Sequence, residues 1–252
     1  MIIESVERKA YSMEIRFNIL RTNRTEKTQY MQSIIYTIEE ENATVATALS
    51  LMNETDGLKD VDGNAVTPIV WECSCLQKKC GACAMVINDR PALACSVRLR
   101  ELKKPEVTLK PLMKFPVVED LMVDRSILFE NLREMKIWLK GEARTEPVDY
   151  DMAYEGSRCL QCGCCLEVCP NFYPEGKFFG MASFIPTARL ISEMKKEQRD
   201  EIYKEYRKHI YDGCGKSLAC RKVCPAGIDI EGLLVNSNAM AIWKIGKRKL
   251  TE

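Results

Sequence analysis

Histidine is nearly missing from this 252-residue chain, which contains His209 and no other. A Rieske centre and a Cys₂His₂ zinc site each take two histidines, so both kinds of metal site are excluded. No apolar run approaches the ~18 residues of a membrane-spanning helix. Residues 1–8 lack the basic start and the apolar stretch of a secretory signal, so we expect a cytosolic-side protein that crosses no membrane itself.

The chain also has almost no excess of either charge, because 37 Lys and Arg residues offset 36 Asp and Glu residues and leave a net charge of +1. Proteins that bind nucleic-acid phosphates generally carry a basic excess. We therefore expect no nucleic-acid partner.

Cysteine, in contrast, is abundant and unevenly distributed. The chain has 13 cysteines, and most of them stand in tight groups. In a chain that is not exported, clustered thiols indicate metal binding before disulfides. Cys₄ zinc and iron–sulfur clusters are the two classes left, and the spacings distinguish them.

The first part of the chain predicts a small α+β sheet domain. Apolar and polar residues alternate in short stretches bounded by turn residues, which is typical of strands. A helix is predicted over 44–52, with Thr44 as its N-cap. The predicted strands cover 14–20, 30–38, 84–87, a return segment ending near Cys95, and 107–109.

Prolines mark the change from strands to helices. They stand at positions 105, 111 and 116, which places the change near 111–118. We therefore predict one domain over 1–113 and a second over 114–252.

The second domain has helical periodicity. Leucine and methionine spacing predicts a helix over 121–139 that stops at Gly141, and another helical stretch over 187–211. His209 falls in the latter stretch, where we expect it on the helix surface without a partner.

The first cysteine group has the C-x₄-C-x₂-C spacing of plant-type 2Fe–2S ferredoxins, followed by a fourth cysteine on the predicted return strand. Gly81 inside the group lets backbone amides approach the cluster sulfides. A structural zinc site prefers two C-x₂₋₄-C pairs, which the lone fourth cysteine fits poorly. The predicted 2Fe–2S ligands are Cys75, Cys80, Cys83 and Cys95, and Cys73 lies outside the spacing.

Two later runs share the C-x₂-C-x₂-C-x₃-C-P spacing of bacterial ferredoxins, except that Ser217 replaces one cysteine in the second run. In two-cluster ferredoxins the fourth cysteine of a run binds the other cluster. Cys164 falls between ligand positions and is interpreted as a small packing residue. The predicted 4Fe–4S ligands are Cys159, Cys162, Cys165 and Cys224. The third predicted site has Cys169, Cys214 and Cys220.

The third predicted site lacks one thiolate, at position 217. A cluster without its fourth ligand loses the corner iron, so we predict a 3Fe–4S cluster; a 4Fe–4S cluster bound by the Ser217 alkoxide is the alternative. The sequence has no Ser-His-Asp set, phosphate loop or dinucleotide fingerprint. Three clusters without a substrate site indicate an electron carrier between partners, and a redox sensor or cluster scaffold is the non-enzymatic alternative.

The order and spacing of these cysteines resemble the iron–sulfur subunits of the succinate dehydrogenase and fumarate reductase family. The segment 111–125 resembles the family's interdomain link, and Asn88–Cys95 its hairpin into the fourth 2Fe–2S ligand. The resemblance implies a β-grasp, plant-type ferredoxin-like domain followed by an all-α, bacterial-ferredoxin-like domain. It also implies a flavoprotein partner with covalent FAD, where succinate and fumarate interconvert, and a membrane anchor that carries a quinone or haem.

The sequence departs from members of this family that bind ubiquinone beside the last cluster. Those members have tryptophans after the Cys-Pro of the first run and a histidine after the next ligand, whereas this chain has Asn171-Phe172-Tyr173 and Gly215. We therefore expect an anchor with haem b, menaquinone or both, and a peripheral position on the cytoplasmic face of the cell membrane. The same cluster arrangement also fits a different flavoprotein reductase or a thiol-linked soluble fumarate reductase.

Overall fold

A five-stranded mixed sheet forms the first part of the chain in a computed structural model, which describes residues 11–23, 26, 28–143 and 150–243. The strands are β1 (Met13–Asn23), β2 (Thr28–Ile38), β3 (Ala84–Ile87), β4 (Arg90–Leu93) and β5 (Glu106–Lys110). Their order in the sheet is β2-β1-β5-β3-β4. Strands β1 and β5 are parallel, and the other neighbouring pairs are antiparallel.

Helix α1 (Val45–Glu54) completes this β-grasp domain. Thr44 caps it reciprocally, because its Oγ1 accepts from Thr47 N at 3.2 Å while Thr47 Oγ1 accepts from Thr44 N at 3.1 Å. The apolar face of α1 and the inward residues of β1, such as Phe17 and Ile19, are buried in a common core. The predicted α+β fold, its strands and the Thr44 cap are confirmed.

The rest of the described chain is helical apart from one short hairpin, β6 (Val117–Glu119) and β7 (Met122–Val123). The predicted all-α second domain is thereby confirmed in its main elements. In the described ranges no helix has both the length and the apolar character needed to span a bilayer. The helices are α2 (Ser126–Glu134), α3 (Tyr150–Ser157), α4 (Cys164–Glu167), α5 (Gly180–Glu193), α6 (Arg199–Tyr206), α7 (Ala219–Val223) and α8 (Ile230–Ala241).

The helix predicted over 121–139 is wrong at both ends. Asp120 takes a left-handed backbone angle, φ 44°, which turns the chain into the hairpin instead of a helix. Leu121 is still buried, but its amide donates to Val70 O at 3.0 Å. Lys136, at φ 54°, follows the end of α2 well before Gly141.

The helical stretch predicted over 187–211 is two helices and not one. Met194 and Lys195 are extended, with ψ of 145° and 146°, and they separate α5 from α6. Helix α6 continues into a π-helical turn, Arg207–Tyr211. Because this stretch is densely charged, apolar periodicity alone did not reveal the break between α5 and α6.

His209 is buried and partnered, so the prediction of a partnerless surface histidine is wrong. Its side chain is 2% exposed, and its ring stacks on Phe179 with centroids 3.9 Å apart. Nδ1 lies 2.7 Å from Lys177 O, and Nε2 lies 3.1 Å from a carboxylate oxygen of Glu134. The π-helical turn aims the ring inward, between α2 and the segment before α5.

A buried ion pair ties the β6–β7 hairpin to the first sheet. Arg21 Nε lies 3.1 Å from Asp120 Oδ2, and both side chains are almost completely buried. Asp120 also accepts from the backbone amides of Thr22 at 2.8 Å and Val70 at 2.9 Å. The hairpin therefore packs on the sheet although it follows the predicted domain boundary at 113/114, which stays a prediction.

Candidate iron–sulfur sites

The first cysteine group forms a surface loop whose backbone amides point at sulfur. Gln77 N and Lys79 N each donate to Cys75 Sγ at 3.3 Å, and Lys78 N donates to Cys95 Sγ at the same distance. The amide hydrogen bonds from Gln77 and Lys79 lower the pKa of Cys75 to about 7. Left-handed backbone angles at Leu76, Lys78 and Gly81 turn these amides inward.

The four thiols of this group lie in two close pairs. Cys75 is in hydrogen-bond contact with Cys80, and Cys83 with Cys95. Burial raises the pKa of the Cys83 thiol to about 12. In the part of the chain that the structure describes, no three Cys, His, Asp or Glu side chains converge as ligands of a single ion would. Two thiol pairs suit a binuclear cluster with one iron at each pair.

A second group of thiols lines a cavity at the start of α4. Apolar residues such as Ile185 and Ile228 line the remaining wall. Gln161 Nε2 donates to Cys159 Sγ at 3.1 Å, while burial raises the pKa of Cys159 to about 11. The cysteines on this cavity are Cys159, Cys162, Cys165 and Cys224.

A third group lines another cavity at the other end of α4. Ser217 stands on its wall, in the position that the missing cysteine of the second run would occupy. Burial raises the pKa of Cys220 to about 11. The cysteines on this cavity are Cys169, Cys214 and Cys220.

The two cavities exchange the last cysteine of each run, as the spacing predicts. Cys224 stands with the first run, and Cys169 stands with the second. This crossing follows from the packing of α4 against α7, which carry the middle of the two runs. The cavity of the second group also adjoins the first loop, because a Cβ on Gly81 would lie 2.9 Å from Cys162 Cβ.

The two halves of the chain match two iron–sulfur families. Residues 16–130 match the 2Fe-2S iron-sulfur cluster binding domain, and residues 155–228 match the 4Fe-4S dicluster domain. These matches cover all eleven cysteines of the three sites.

Relatives with named functions extend the match over most of the chain. The succinate dehydrogenase iron-sulfur subunit of Bacillus subtilis (strain 168) is 35% identical over 235 residues, which are 86% of this chain and 88% of that protein. The fumarate reductase iron-sulfur subunit of Wolinella succinogenes is 31% identical over 212 residues, 78% of this chain and 84% of that protein. The chain belongs to the family of succinate dehydrogenase and fumarate reductase iron–sulfur subunits.

The fold of this iron–sulfur subunit is also found among solved structures. A chain of the structure titled Mycobacterium smegmatis Sdh1 complex in the apo form matches with a TM-score of 0.75. The match covers 95% of this chain and 100% of that chain at 22% identity, which shows likeness of fold alone.

The residues of the subunit fit the clusters of its family. Thiolates are the ligands that iron–sulfur clusters take, and amide hydrogen bonds to sulfur stabilise their negative charge. The subunit presents both, with two thiol pairs in the first loop and two thiol-lined cavities in the helical part. It is an electron-transfer subunit with 2Fe–2S and 4Fe–4S clusters.

Two cysteines lie outside the three groups. Cys73 is exposed at the surface of the first loop. Cys164 is fully buried and does not line either cavity; its hydrogen bond with Cys162 and its burial both raise its pKa. That environment fits the predicted role of Cys164 as a packing residue.

Sequence reasoning missed the contacts of Arg125, the last residue of the family-like link 111–125. Its guanidinium donates to Gly81 O at 3.0 Å and to Ala82 O, and it pairs with Glu72. An arginine next to an aspartate before a helix carries no local signal of a contact some 40 residues back in the chain. The carbonyls that it binds belong to Gly81 and Ala82, which lie between the predicted ligands Cys80 and Cys83. Their place between ligands is the sequence signal that marks this turn as part of the site.

Proposed function

We propose that the first group of thiols holds the 2Fe–2S cluster, the second the 4Fe–4S cluster and the third a 3Fe–4S cluster. The crossed pairing of the two cysteine runs around separate cavities supports this assignment best. The predicted domain 1–113 then holds the first cluster, and the predicted domain 114–252 holds the other two. The proposed ligands are Cys75, Cys80, Cys83 and Cys95; Cys159, Cys162, Cys165 and Cys224; and Cys169, Cys214 and Cys220.

The third cluster has three irons in this proposal because Ser217 replaces the fourth thiolate. Ser217 lines the cavity together with the three cysteines, so its position is that of a ligand while its chemistry is not. A hydroxyl is a much weaker acid than a thiol and is not ordinarily deprotonated at neutral pH. A fourth iron at the corner would therefore have no anionic protein ligand, and the proposed cluster lacks it.

The clusters, when bound, accept and release single electrons. The chain's own cysteines would hold them, and amide groups of the first loop and of Gln161 would direct their dipoles at the sulfurs. We propose that a flavoprotein subunit with FAD docks at the first loop, where Leu76 is 48% exposed and Cys80 lies at the surface. Succinate and fumarate would interconvert on that partner.

We propose that an acceptor docks at the opposite, third-site end of the subunit. A largely apolar cavity adjoins Cys214 there, with Tyr211, Lys216 and Val235 on its wall. Trp243 lines the same cavity and is 47% exposed. A membrane anchor with haem b or menaquinone fits this surface, which would place the subunit on the cytoplasmic face of the cell membrane.

The test is reduction of the purified complex by succinate, followed by rapid-mixing EPR. We expect a co-purifying flavoprotein and reduction of the cluster with the highest potential, which we expect to be the 3Fe–4S cluster. An unchanged cluster signal with succinate, together with no oxidation of the reduced complex by fumarate, would refute the assignment.

Substrate profiling of the same complex separates the remaining alternatives. Activity with another unsaturated acid or with thiols as donors would favour a different flavoprotein partner. A chain that purifies alone, resists air and docks no flavoprotein would favour a redox sensor or cluster scaffold.

A further inference from the structure

Arg125 joins the first cysteine loop to the start of the helical part. It stands directly before α2, and its guanidinium reaches back to the carbonyls of Gly81 and Ala82, the two residues between Cys80 and Cys83. Its other partner is the Glu72 carboxylate. The Arg125 side chain is 13% exposed, whereas that of Glu72 is 42% exposed.

The carbonyls that Arg125 holds belong to the part of the loop that touches the second cavity. Gly81, at φ +78°, approaches so closely that an added Cβ would lie 2.7 Å from Leu160 O. Cys162, a proposed ligand of the second cluster, lies on the other side of this contact. The guanidinium therefore stands where the walls of the first and second sites meet.

The charge of Arg125 lies close to the second site. Its guanidinium holds the carbonyl of Gly81, and the same glycine packs directly against Cys162. A largely buried cation is weakly screened by water, so it acts on nearby charges more strongly than a surface cation does. Glu72 is nearly half exposed and offsets this charge only in part.

We propose that Arg125 is a positioning residue for two centres at once: it holds the Gly81–Ala82 turn against the second site and raises the reduction potentials of the first and second clusters. Reduction adds negative charge to a cluster, so a nearby cation favours the reduced form. Glu72 acts in the opposite direction on the same clusters. This inference rests on the proposed ligand assignment.

The test is an EPR-monitored redox titration of the purified complex with Arg125→Gln and Glu72→Gln. For Arg125→Gln we expect lower potentials at the first two clusters, with the ratio of reduced to oxidised cluster changed about tenfold at fixed potential, or ~59 mV for one electron. For Glu72→Gln we expect a smaller shift upward. The third cluster serves as an internal control and should keep its potential.

Matched controls separate charge from structure. Arg100 and Glu41 form a surface pair at 2.9 Å, so Arg100→Gln and Glu41→Gln should leave all three potentials unchanged. Arg125→Lys keeps the charge but not the fork that reaches both carbonyls, so it should restore most of the potential lost in Arg125→Gln.

Two outcomes overturn the proposal. Potentials that stay unchanged in Arg125→Gln would remove the electrostatic role, and shifts of the same sign in Arg125→Gln and Glu72→Gln would indicate a structural role alone. If Arg125→Gln fails to assemble, Glu72→Gln and Arg125→Lys decide the same question. The three cluster signals of the unmutated complex test the ligand assignment separately, so failure of the proposed function is distinguishable from failure of this inference.

Discussion

Gly81 lies directly against Cys162, so that a Cβ on Gly81 would be 2.9 Å from Cys162 Cβ. Cβ atoms do not approach so closely, and the contact therefore exists because residue 81 has no side chain. It joins the first cysteine loop to the cavity of the second site. In a protein that carries electrons, the short distance between neighbouring sites is part of the function. Here the absence of a side chain at residue 81 allows that short distance.

Gly81→Ala should therefore disturb both sites. The residue needs a left-handed backbone angle, φ +78°, and its new methyl group would also meet Leu160 O at 2.7 Å. We expect a loss of about 3 kcal/mol in stability from strain and overpacking together. The thermal unfolding midpoint of the complex and the EPR signals of the first two clusters measure the effect.

Gly57→Ala is the matched control for this change. Gly57 has a similar angle, φ +68°, but nothing lies within 4 Å of its added Cβ. It should cost about 1 kcal/mol for the backbone angle and leave every cluster signal intact. Equal effects of the two substitutions would show that the contact with Cys162 does not matter.

Cysteines inside and outside the proposed ligand sets should respond differently to substitution. Cys75→Ser and Cys165→Ala should each perturb or lose one cluster, and assembly can fail because cluster binding and folding are coupled. Cys73→Ser should keep the full iron content and all three EPR signals. Loss of the 2Fe–2S signal in Cys73→Ser but not in Cys75→Ser would contradict the register.

Cys164→Ala tests the same distinction inside the helical part. Cys164 is completely buried next to proposed ligands, so removing its sulfur should lower stability by about 1 kcal/mol without loss of iron. Iron analysis and the thermal unfolding midpoint separate these two effects. A loss of iron in this variant would indicate that Cys164 is a ligand, which would contradict the proposed ligand set.

The Arg21–Asp120 pair should be essential for the attachment of the β6–β7 hairpin. Asp120→Asn keeps the side-chain shape and tolerates the left-handed angle, but it leaves the buried Arg21 charge without its partner. We expect a loss of about 3 kcal/mol or more, measured as a lower thermal unfolding midpoint.

Asp89→Asn is the control for Asp120→Asn. Asp89 also has a left-handed angle, φ 60°. Its partner Lys110 is 2.8 Å away, but the Asp89 side chain is 81% exposed. An exposed pair contributes little, so the midpoint should hardly change. A similar loss in both variants would contradict the importance of burial.

The cysteine pattern predicted which residues share a cavity better than periodicity predicted the helices around them. The spacing placed Cys224 with the first run and Cys169 with the second, and the two cavities group them in the same way. Their roles as ligands stay a prediction. Strand alternation and the Thr44 cap are also local signals, and both were confirmed. Contacts between residues far apart in the sequence have no comparable local signal.

Three residues illustrate what local patterns could not contain. Leu121 fitted a helical period, but its burial is in a hairpin set by the turn at Asp120. His209 stood in a charged stretch, yet Phe179 and the carboxylate of Glu134 come from other elements to enclose it. Arg125 likewise acts on carbonyls more than 40 residues earlier in the chain.

The last prediction concerns Ser217, which lines the cavity of the third group together with Cys169, Cys214 and Cys220. If the missing thiolate is what limits the third cluster to three irons, Ser217→Cys should admit a fourth. The added thiolate increases negative charge at the cluster, so its reduction potential should fall. Iron per protein should rise by one, and the EPR signal of the oxidised 3Fe–4S cluster should vanish.

Ser217→Ala distinguishes this account from ligation by the serine itself. A serine that binds no iron can be removed without changing the iron content or the 3Fe–4S signal, because alanine keeps the backbone and leaves the three thiolates in place. A serine that binds the fourth iron of a 4Fe–4S cluster cannot be removed in this way. Loss of iron in Ser217→Ala, or a 4Fe–4S signal at this site in the unmutated protein, would refute the three-iron assignment. Retention of the 3Fe–4S signal in Ser217→Cys would instead show that the cavity wall excludes the fourth iron.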